Sequence, residues 1–335
     1  MTAHTGLGDD LDLRPSARDI LTTATRAPSG HNAQPWNFRV LADAVEVWAD
    51  RNRRLPVIDP NDRELHVACG SALFGVRLAL AGLGIGSAVT LLPDPARPQL
   101  LARATAVDRR STTDLENRLL AEVPYRRTIR TPFTDKDVPV VVRVALGEHA
   151  VAEGATLRWV EHEGERRGVA ALVADGERLQ QTDSAFRAEL ARWTGARAAA
   201  RGEGIPISSF GIGAGAGHAA PFAMRDFAGG VHGTPRSHAQ PEPHPVICVL
   251  STSGDGPEDW LRAGQGLMRV LLAATEQGLS ASYLNQPLEI SGLRAKVREE
   301  LRLDGCPQMI LRLGHPVAPP PRPTPRRPVS DVLRY

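Results

Sequence analysis

Two stretches of this chain match one another without a gap at an offset of 194 residues, the step from Gly70 to Gly264. Leu73 falls on Leu267, Val76 on Val270, Leu78 on Leu272, Ala79 on Ala273, Gly84 on Gly278 and Pro93 on Pro287. Two Ala- and Leu-rich helices can share apolar residues by chance. Shared glycine and proline punctuation is a stronger mark, because those residues fix where an element stops. A repeat of this kind implies two related halves within one chain, residues 1–118 and 119–335, with an exposed connector near Glu116 to Glu122. From Ser71 to Leu92 the only charge is Arg77, and about 20 apolar residues suffice to cross a bilayer. Gly82, Gly84 and Gly86 nevertheless divide that run into a helix and a strand, and the second copy carries Arg269, Glu276 and Gln277. The repeated element therefore reads as a helix buried between the halves, with no membrane role.

Periodicity elsewhere predicts helices over 15–26, 64–82, 112–121, 137–153, 258–277 and 290–301. Strands are expected over 36–49, 87–92, 156–161, 245–251, 280–285 and 307–313. A long amphipathic helix follows 156–161, with Val169, Leu172, Val173, Leu179, Phe186, Leu190 and Trp193 near helical spacing. Irregular alternation of helices and strands predicts an α+β sandwich on a mixed sheet. The stretch from about 196 to 242 is rich in Gly, Ala and His and poor in periodicity, and reads as a lid inserted into the second half. Its run Gly211 to Gly217 is no dinucleotide fingerprint, and His218, His232, His238 and His244 lack metal-ligand spacing.

The formal net charge is only +2, with basic residues spread along the chain, so nothing directs it to nucleic acid. Cys69, Cys248 and Cys306 are odd in number and without a CxxC pair, and read as reduced thiols of a cytoplasmic protein. Asp9, Asp10 and Asp12 stand where a secretory signal would carry basic residues and an apolar core.

Three motifs carry candidate chemistry. In the run Ala27 to Phe38, Pro28 ends a helix, Ser29 and Gly30 let the backbone approach a flat group, and Asn32 and Gln34 supply amide donors and acceptors. A plain helix-to-strand loop with Trp36 as a core anchor has the same composition. Arg126, Arg127, Thr128 and Arg130 place three guanidiniums and a hydroxyl within five residues, a donor cluster suited to a phosphate dianion; a solvated basic turn is the bland alternative. Asn285 to Glu289 follows the second repeat copy, where Pro287 stiffens a turn and Glu289 favours the next helix start. The tail from Pro319 to Pro328 favours polyproline II and holds Arg326 and Arg327.

These motifs, together with Asp59 to Leu65 and Pro307 to Gly314, resemble the FMN-binding nitroreductase superfamily, and its Acg-like branch in particular, over about residues 15 to 333. The resemblance implies a fused pseudo-dimer with one FMN site and a lid across it. It assigns Pro28, Ser29, Gly30, Asn32 and Gln34 to the flavin loop. Arg126, Arg127, Thr128 and Arg130 are assigned to the phosphate, ribityl chain and pyrimidine edge. Asn285 and Pro287 are placed near the reacting ring edge, with Glu289 mainly structural. The resemblance also implies a C-terminal arm that brings Arg326 or Arg327 across to the phosphate. No catalytic side chain and no metal are implied. The expected activity is reduction or oxidation of a small flat organic substrate in alternate half-reactions, with NADH or NADPH as donor and a monomeric chain. The rival expectation is an FMN-sequestering protein whose lid shuts out donor and substrate.

Overall fold

In the computed structural model, residues 12–210, 225–227, 245–319 and 322–334 are described. The N-terminal part gives α1 (Ala17–Ala24), β1 (Trp36–Val40), β2 (Ala44–Ala49), α2 (Arg63–Gly82), β3 (Ile85–Leu91), β4 (Leu100–Arg109) and α3 (Asp114–Glu122). Then come α4 (Val140–Val151), β5 (Thr156–Trp159), α5 (Glu163–Thr182), α6 (Ser184–Arg192) and α7 (Gly195–Ala200). The rest is β6 (Val246–Thr252), α8 (Pro257–Glu276), β7 (Ser280–Tyr283), α9 (Ser291–Glu300), β8 (Cys306–Gly314), α10 (Val329–Val332) and β9 (Leu333–Arg334). One sheet runs β3-β4-β2-β1-β9 and the other β7-β8-β6-β5. Apart from β9 the two strand orders are the same, and every neighbouring pair within them is antiparallel. Each sheet has one long helix between its second and third strands in chain order, α2 in one and α8 in the other.

Side-chain alternation explains how each sheet is covered. Along β6, Cys248 and Leu250 face the core under α8, while Ile247 and Val249 face a second core under α5 and α9. The other sheet is apolar on one face only: Val45 and Val47 point inward, and Glu46 pairs with Arg103 at 2.5 Å on the other face. Helix α2 is apolar nearly all round because it serves two cores. Leu73, Val76 and Leu80 pack with α1 and the first sheet, whereas Val67, Phe74 and Leu78 pack with α8. Its membrane-like composition is spent on protein contacts.

Where α2 and α8 cross, the contact is backbone to backbone. A Cβ on Gly70 would stand 2.2 Å from the Leu261 carbonyl oxygen, and one on Gly264 would stand 2.1 Å from that of Val67. Val67 and Leu261 are themselves one repeat step apart, so the contact is reciprocal in the manner of a two-fold interface. Ser71 Oγ adds a bond to the Gly264 carbonyl at 2.8 Å. Both helices also stop in the same way. Leu83 N donates to the Ala79 carbonyl before Gly84 at φ 72°, and Gln277 N donates to that of Ala273 before Gly278 at φ 70°. Only glycine adopts that left-handed turn without cost.

Several expectations need correction. No strand was expected at 100–109, yet β4 lies there between β2 and β3; its inward residues Ala102 and Ala104 are too small to stand out as an alternating pattern. The long amphipathic helix is two, broken at Asp183, whose carboxylate accepts from Ala185 N at 2.8 Å. The join near residue 118 is solvent-exposed at Asn117, Arg118 and Ala121 but is helical and partly anchored. It lies within α3, which starts in a Thr113–Glu116 capping box and buries Leu119 in the core shared with α8. The stretch 196–242 begins as structure, with most of α7 and the 3-10 turn Ile207–Ser209 in it. Residues 211–224 and 228–242 of it, including the glycine run, His218, His232 and His238, lie outside the described residues, as does His244.

The crossing yields a direct stability test. Gly70→Ala and Gly264→Ala should each cost about 1–3 kcal/mol in urea unfolding, as overpacking does. Gly147→Ala on α4, where an added Cβ meets nothing within 4 Å, should be neutral or stabilise slightly.

Candidate active site

A cleft of about 1280 Å³, counted to its open mouth, lies where the two sheets' elements meet. Its walls are the loop after α1, the first turns of α2, residues 123–130, the end of β7 and the C-terminal arm. Ile205, Ser209, Arg225 and Phe227 cover it.

The loop after α1 is held in an unusual backbone. His31, Asn32 and Gln34 have φ of 48°, 56° and 53°, a left-handed conformation that costs a non-glycine residue energy and concentrates at functional sites. Ser29 Oγ accepts from Gln34 N at 3.0 Å. The two amides, however, are spent on the protein itself. Asn32 Nδ2 donates to the carbonyls of Gly204 (2.9 Å) and Pro325 (3.0 Å), and its Oδ1 accepts from Arg326 Nη1 at 3.0 Å. Gln34 Nε2 donates to the Gly202 carbonyl at 2.8 Å and its Oε1 accepts from Arg327 N at 2.9 Å. These amides bolt the loop, the 202–204 turn and the arm together rather than offering themselves to a ligand.

The arm is anchored with the same economy. Arg326 is half-buried against the C-terminal end of α1, donating to the carbonyls of Thr25 at 2.7 Å and Ala27 at 3.3 Å, where a cation also complements the helix dipole. Arg327 donates to the carbonyls of Gln34 and Trp36 and approaches Asp50 at 3.4 Å, behind the cleft. Beyond it, β9 adds to the edge of β1 in parallel register, Phe38 opposite Leu333.

Residues 126–133 are pinned along β7 and β8. Ile129 N donates to the Ala281 carbonyl at 2.9 Å, and the buried Arg312 donates to that of Thr131 at 2.9 Å while lying over the Phe133 ring. This presents the arginines in a fixed array. Among the described residues Arg126 donates one bond, from Nη2 to the Arg26 carbonyl at 3.1 Å, and its Nε and Nη1 are buried without a partner. Arg127 Nε is likewise unmatched. Arg130 donates to the Ser209 carbonyl at 2.9 Å and sits 4.7 Å over the Phe227 ring. Among the described residues no carboxylate pairs with Arg126, Arg127, Arg130 or Arg326. Burial and neighbouring cations push Arg326 down to about 9, and burial, with Arg225 adding to it, pushes Arg130 down to about 10. Such a cluster is short of an anion.

Acidic groups also line the cleft. Glu289 accepts from Arg225 and from Gln180 Nε2, both at 2.5 Å. Glu64 is raised by burial, and further by Glu289, to about 8. His31 is held well below its ordinary value by burial and by Arg225 and Arg130, so its imidazole is neutral, and among the described residues its Nε2 has no partner. Phe227 meets the His31 ring edge-on at 6.2 Å and stacks on Phe210 at 6.1 Å.

Of the residues singled out by sequence, Pro28, Ser29, Gly30, Asn32, Arg126, Arg127, Thr128, Arg130, Asn285 and Arg326 line this cleft. Gln34, Pro287 and Arg327 do not: the first and last hold the arm, and Pro287 is buried in the turn Gln286–Glu289 behind the wall. Asn285 Oδ1 accepts from Ile310 N at 3.0 Å, which fixes the wall itself. Glu289 braces Arg225 and also lines the cleft. His31, Glu64, Tyr283, Arg225 and Phe227 were missed as cleft residues. Glu64 lies inside the motif Asp59 to Leu65, whose Asp59 carboxylate accepts from Leu65 N at 2.9 Å and starts α2 beside the cleft.

A family model described as "Nitroreductase family" matches residues 123–315. The Mycobacterium tuberculosis protein named "Putative NAD(P)H nitroreductase Rv3131" is 35% identical over 328 residues, covering 96% of this chain and 91% of that protein. From the same organism, "Putative NAD(P)H nitroreductase acg" is 33% identical over 321 residues, 94% of each chain. Among solved structures, an FMN- and NADPH-dependent nitroreductase, NfnB, from Sphigopyxis sp. aligns with a TM-score of 0.41 at 23% identity, covering 65% of this chain and 97% of that one. On the family match and the full-length identities, this chain belongs to the nitroreductase family.

Proposed function

We propose that the chain is an FMN-dependent oxidoreductase built as an internal pseudo-dimer, with one flavin site between residues 1–118 and 119–335. The observation that carries the cofactor is the pair of buried, unmatched donors on Arg126 within an arginine cluster that has no carboxylate partner. A phosphate dianion would satisfy those donors, and guanidinium forks suit its oxygens. Bound FMN would supply a two-electron store, loaded as hydride from NADH or NADPH and emptied into a small flat organic acceptor. Arg126 and Arg127 would hold the phosphate, with Arg326 adding charge from behind. Ser29, Gly30, Thr128 and Asn285 would face the rest of the cofactor, and Val67, Ala68 and Leu267 would form an apolar floor.

The shared strand order, the reciprocal contact at Gly70 and Gly264 and the matched helix ends support the pseudo-dimer. The parts support one site, not two. The arginine run and the Pro28 to Trp36 loop each occur once, and the link from α4 to β5 is only residues 152–155. A monomer follows, since the interface that a two-chain relative would need is already internal. We place it in the cytoplasm with its three thiols reduced.

A specific feature favours the sequestering alternative. Arg130 is clamped to Ser209 and Phe227, and Arg225 is buried against Glu289, so the cover is bonded into the cleft. Mixing the yellow protein anaerobically with NADH or NADPH separates the two readings. Bleaching on the timescale of turnover supports the enzyme; bleaching with dithionite alone supports storage.

The phosphate assignment has its own test. Arg126→Ala should cost about 1.5–3 kcal/mol of FMN affinity by fluorescence titration, the worth of a hydrogen bond to a charged group. Riboflavin, which lacks the phosphate, should bind weakly and respond little. Equal losses for both ligands would show that Arg126 does not meet the phosphate.

A further inference from the structure

Glu64 lies on the cleft wall in the first turn of α2 and is 7% exposed. Its Oε1 accepts from Arg63 Nη2 at 3.0 Å. No donor among the described residues reaches Oε2, which stands 3.3 Å from the point where a Cβ on Gly30 would sit. Gly30 lines the same cleft, so the absent side chain leaves Oε2 open to whatever occupies it. Burial of the carboxylate, with Glu289 beside it, disfavours its charge and favours a proton on the oxygen that faces the cleft. The charged groups around it are Arg63 and Asp59 at the start of α2, Glu289 from the turn after β7, and Arg225 from the cover. Arg225 is bonded to Glu289, and Arg63 also donates to the Gln308 carbonyl, so neither cation serves Glu64 alone.

Resting on the flavoenzyme reading above, we propose that Glu64 is the proton donor of the acceptor half-reaction, presenting a proton on Oε2 to the substrate in the cleft. Two-electron reduction requires the acceptor to gain a hydride equivalent, which NADH or NADPH supplies by way of the cofactor, and one proton. The Oε2–H bond breaks, and the proton bonds to the acceptor's reduced oxygen. The electron pair stays on the Glu64 carboxylate beside Arg63, and water restores the proton before the next cycle. The step fits an acceptor that becomes basic at oxygen as it is reduced, such as a quinone carbonyl, which the hydride and this one proton convert to the hydroquinone.

Glu64→Gln keeps the shape and removes the acid. With 1,4-benzoquinone as acceptor, the parent's oxidative half-reaction should fall with rising pH above about 8, tenfold per unit, as Glu64 loses its proton. The variant should be slower by about a hundredfold or more and lack that limb. A parent profile without the limb, or a variant that keeps both rate and profile, overturns the proposal. NMR of the full-length protein labelled with 13C at glutamate carboxyls reads the acid without turnover. One resonance should titrate near pH 8 in the parent and be absent from Glu64→Gln, and ionisation of all glutamates in the ordinary carboxylate range overturns the proposal even if the variant fails to fold. If the protein holds no flavin, the flavoenzyme reading fails while this titration still reports on Glu64.

Discussion

The close crossing of α2 and α8 at Gly70 and Gly264 is the contact on which the rest of the structure depends. With each missing Cβ replaced by the other helix's carbonyl, the helices approach as near as backbones allow. That approach lets α2 serve two cores at once, one through Leu73 and Val76 and the other through Phe74 and Leu78. It also sets the first turns of α2 beside the end of β7, which is where the cleft opens. A side chain at either glycine would part the two sheets and the cleft walls with them.

The C-terminal arm makes the second long-range tie. Asn32, Gln34, Arg326 and Arg327 form one hydrogen-bonded knot between the loop after α1, the turn at 202–204 and the arm. The knot holds His31, Asn32 and Gln34 in left-handed backbone conformations, so local strain is offset by distant bonds. Its chemical consequence is division of labour. Arg326 and Arg327 satisfy backbone carbonyls, while Arg126 keeps donors unspent.

Much of this was legible in the sequence where the physics is local. Gly84 and Gly278 could be read as matching stops because a left-handed helix end needs glycine, and both adopt it. The arginine run was visible as a donor cluster because it is contiguous. What could not be read is partnership at long range. The polar side chains of Asn32 and Gln34 signal a constrained loop, but nothing in a sequence says whether an amide turns to a ligand or to a carbonyl 172 residues away. Strand β4 was hidden because two of its inward positions, Ala102 and Ala104, are alanines, and the raised Glu64 because burial beside Glu289 exists only after folding. The join near residue 118 falls inside α3 for a related reason: a short amphipathic helix with one buried leucine reads as a solvated segment until its core is known.

Together, the crossing, the knot and the unsatisfied arginines describe one anion-seeking cleft, which we propose is shared by two related halves of a single chain. Isothermal titration of the purified full-length protein, stripped of any bound flavin, with FMN tests that claim most directly. The account predicts saturation at one FMN per chain with the protein monomeric. Two FMN per chain, or none, would contradict it.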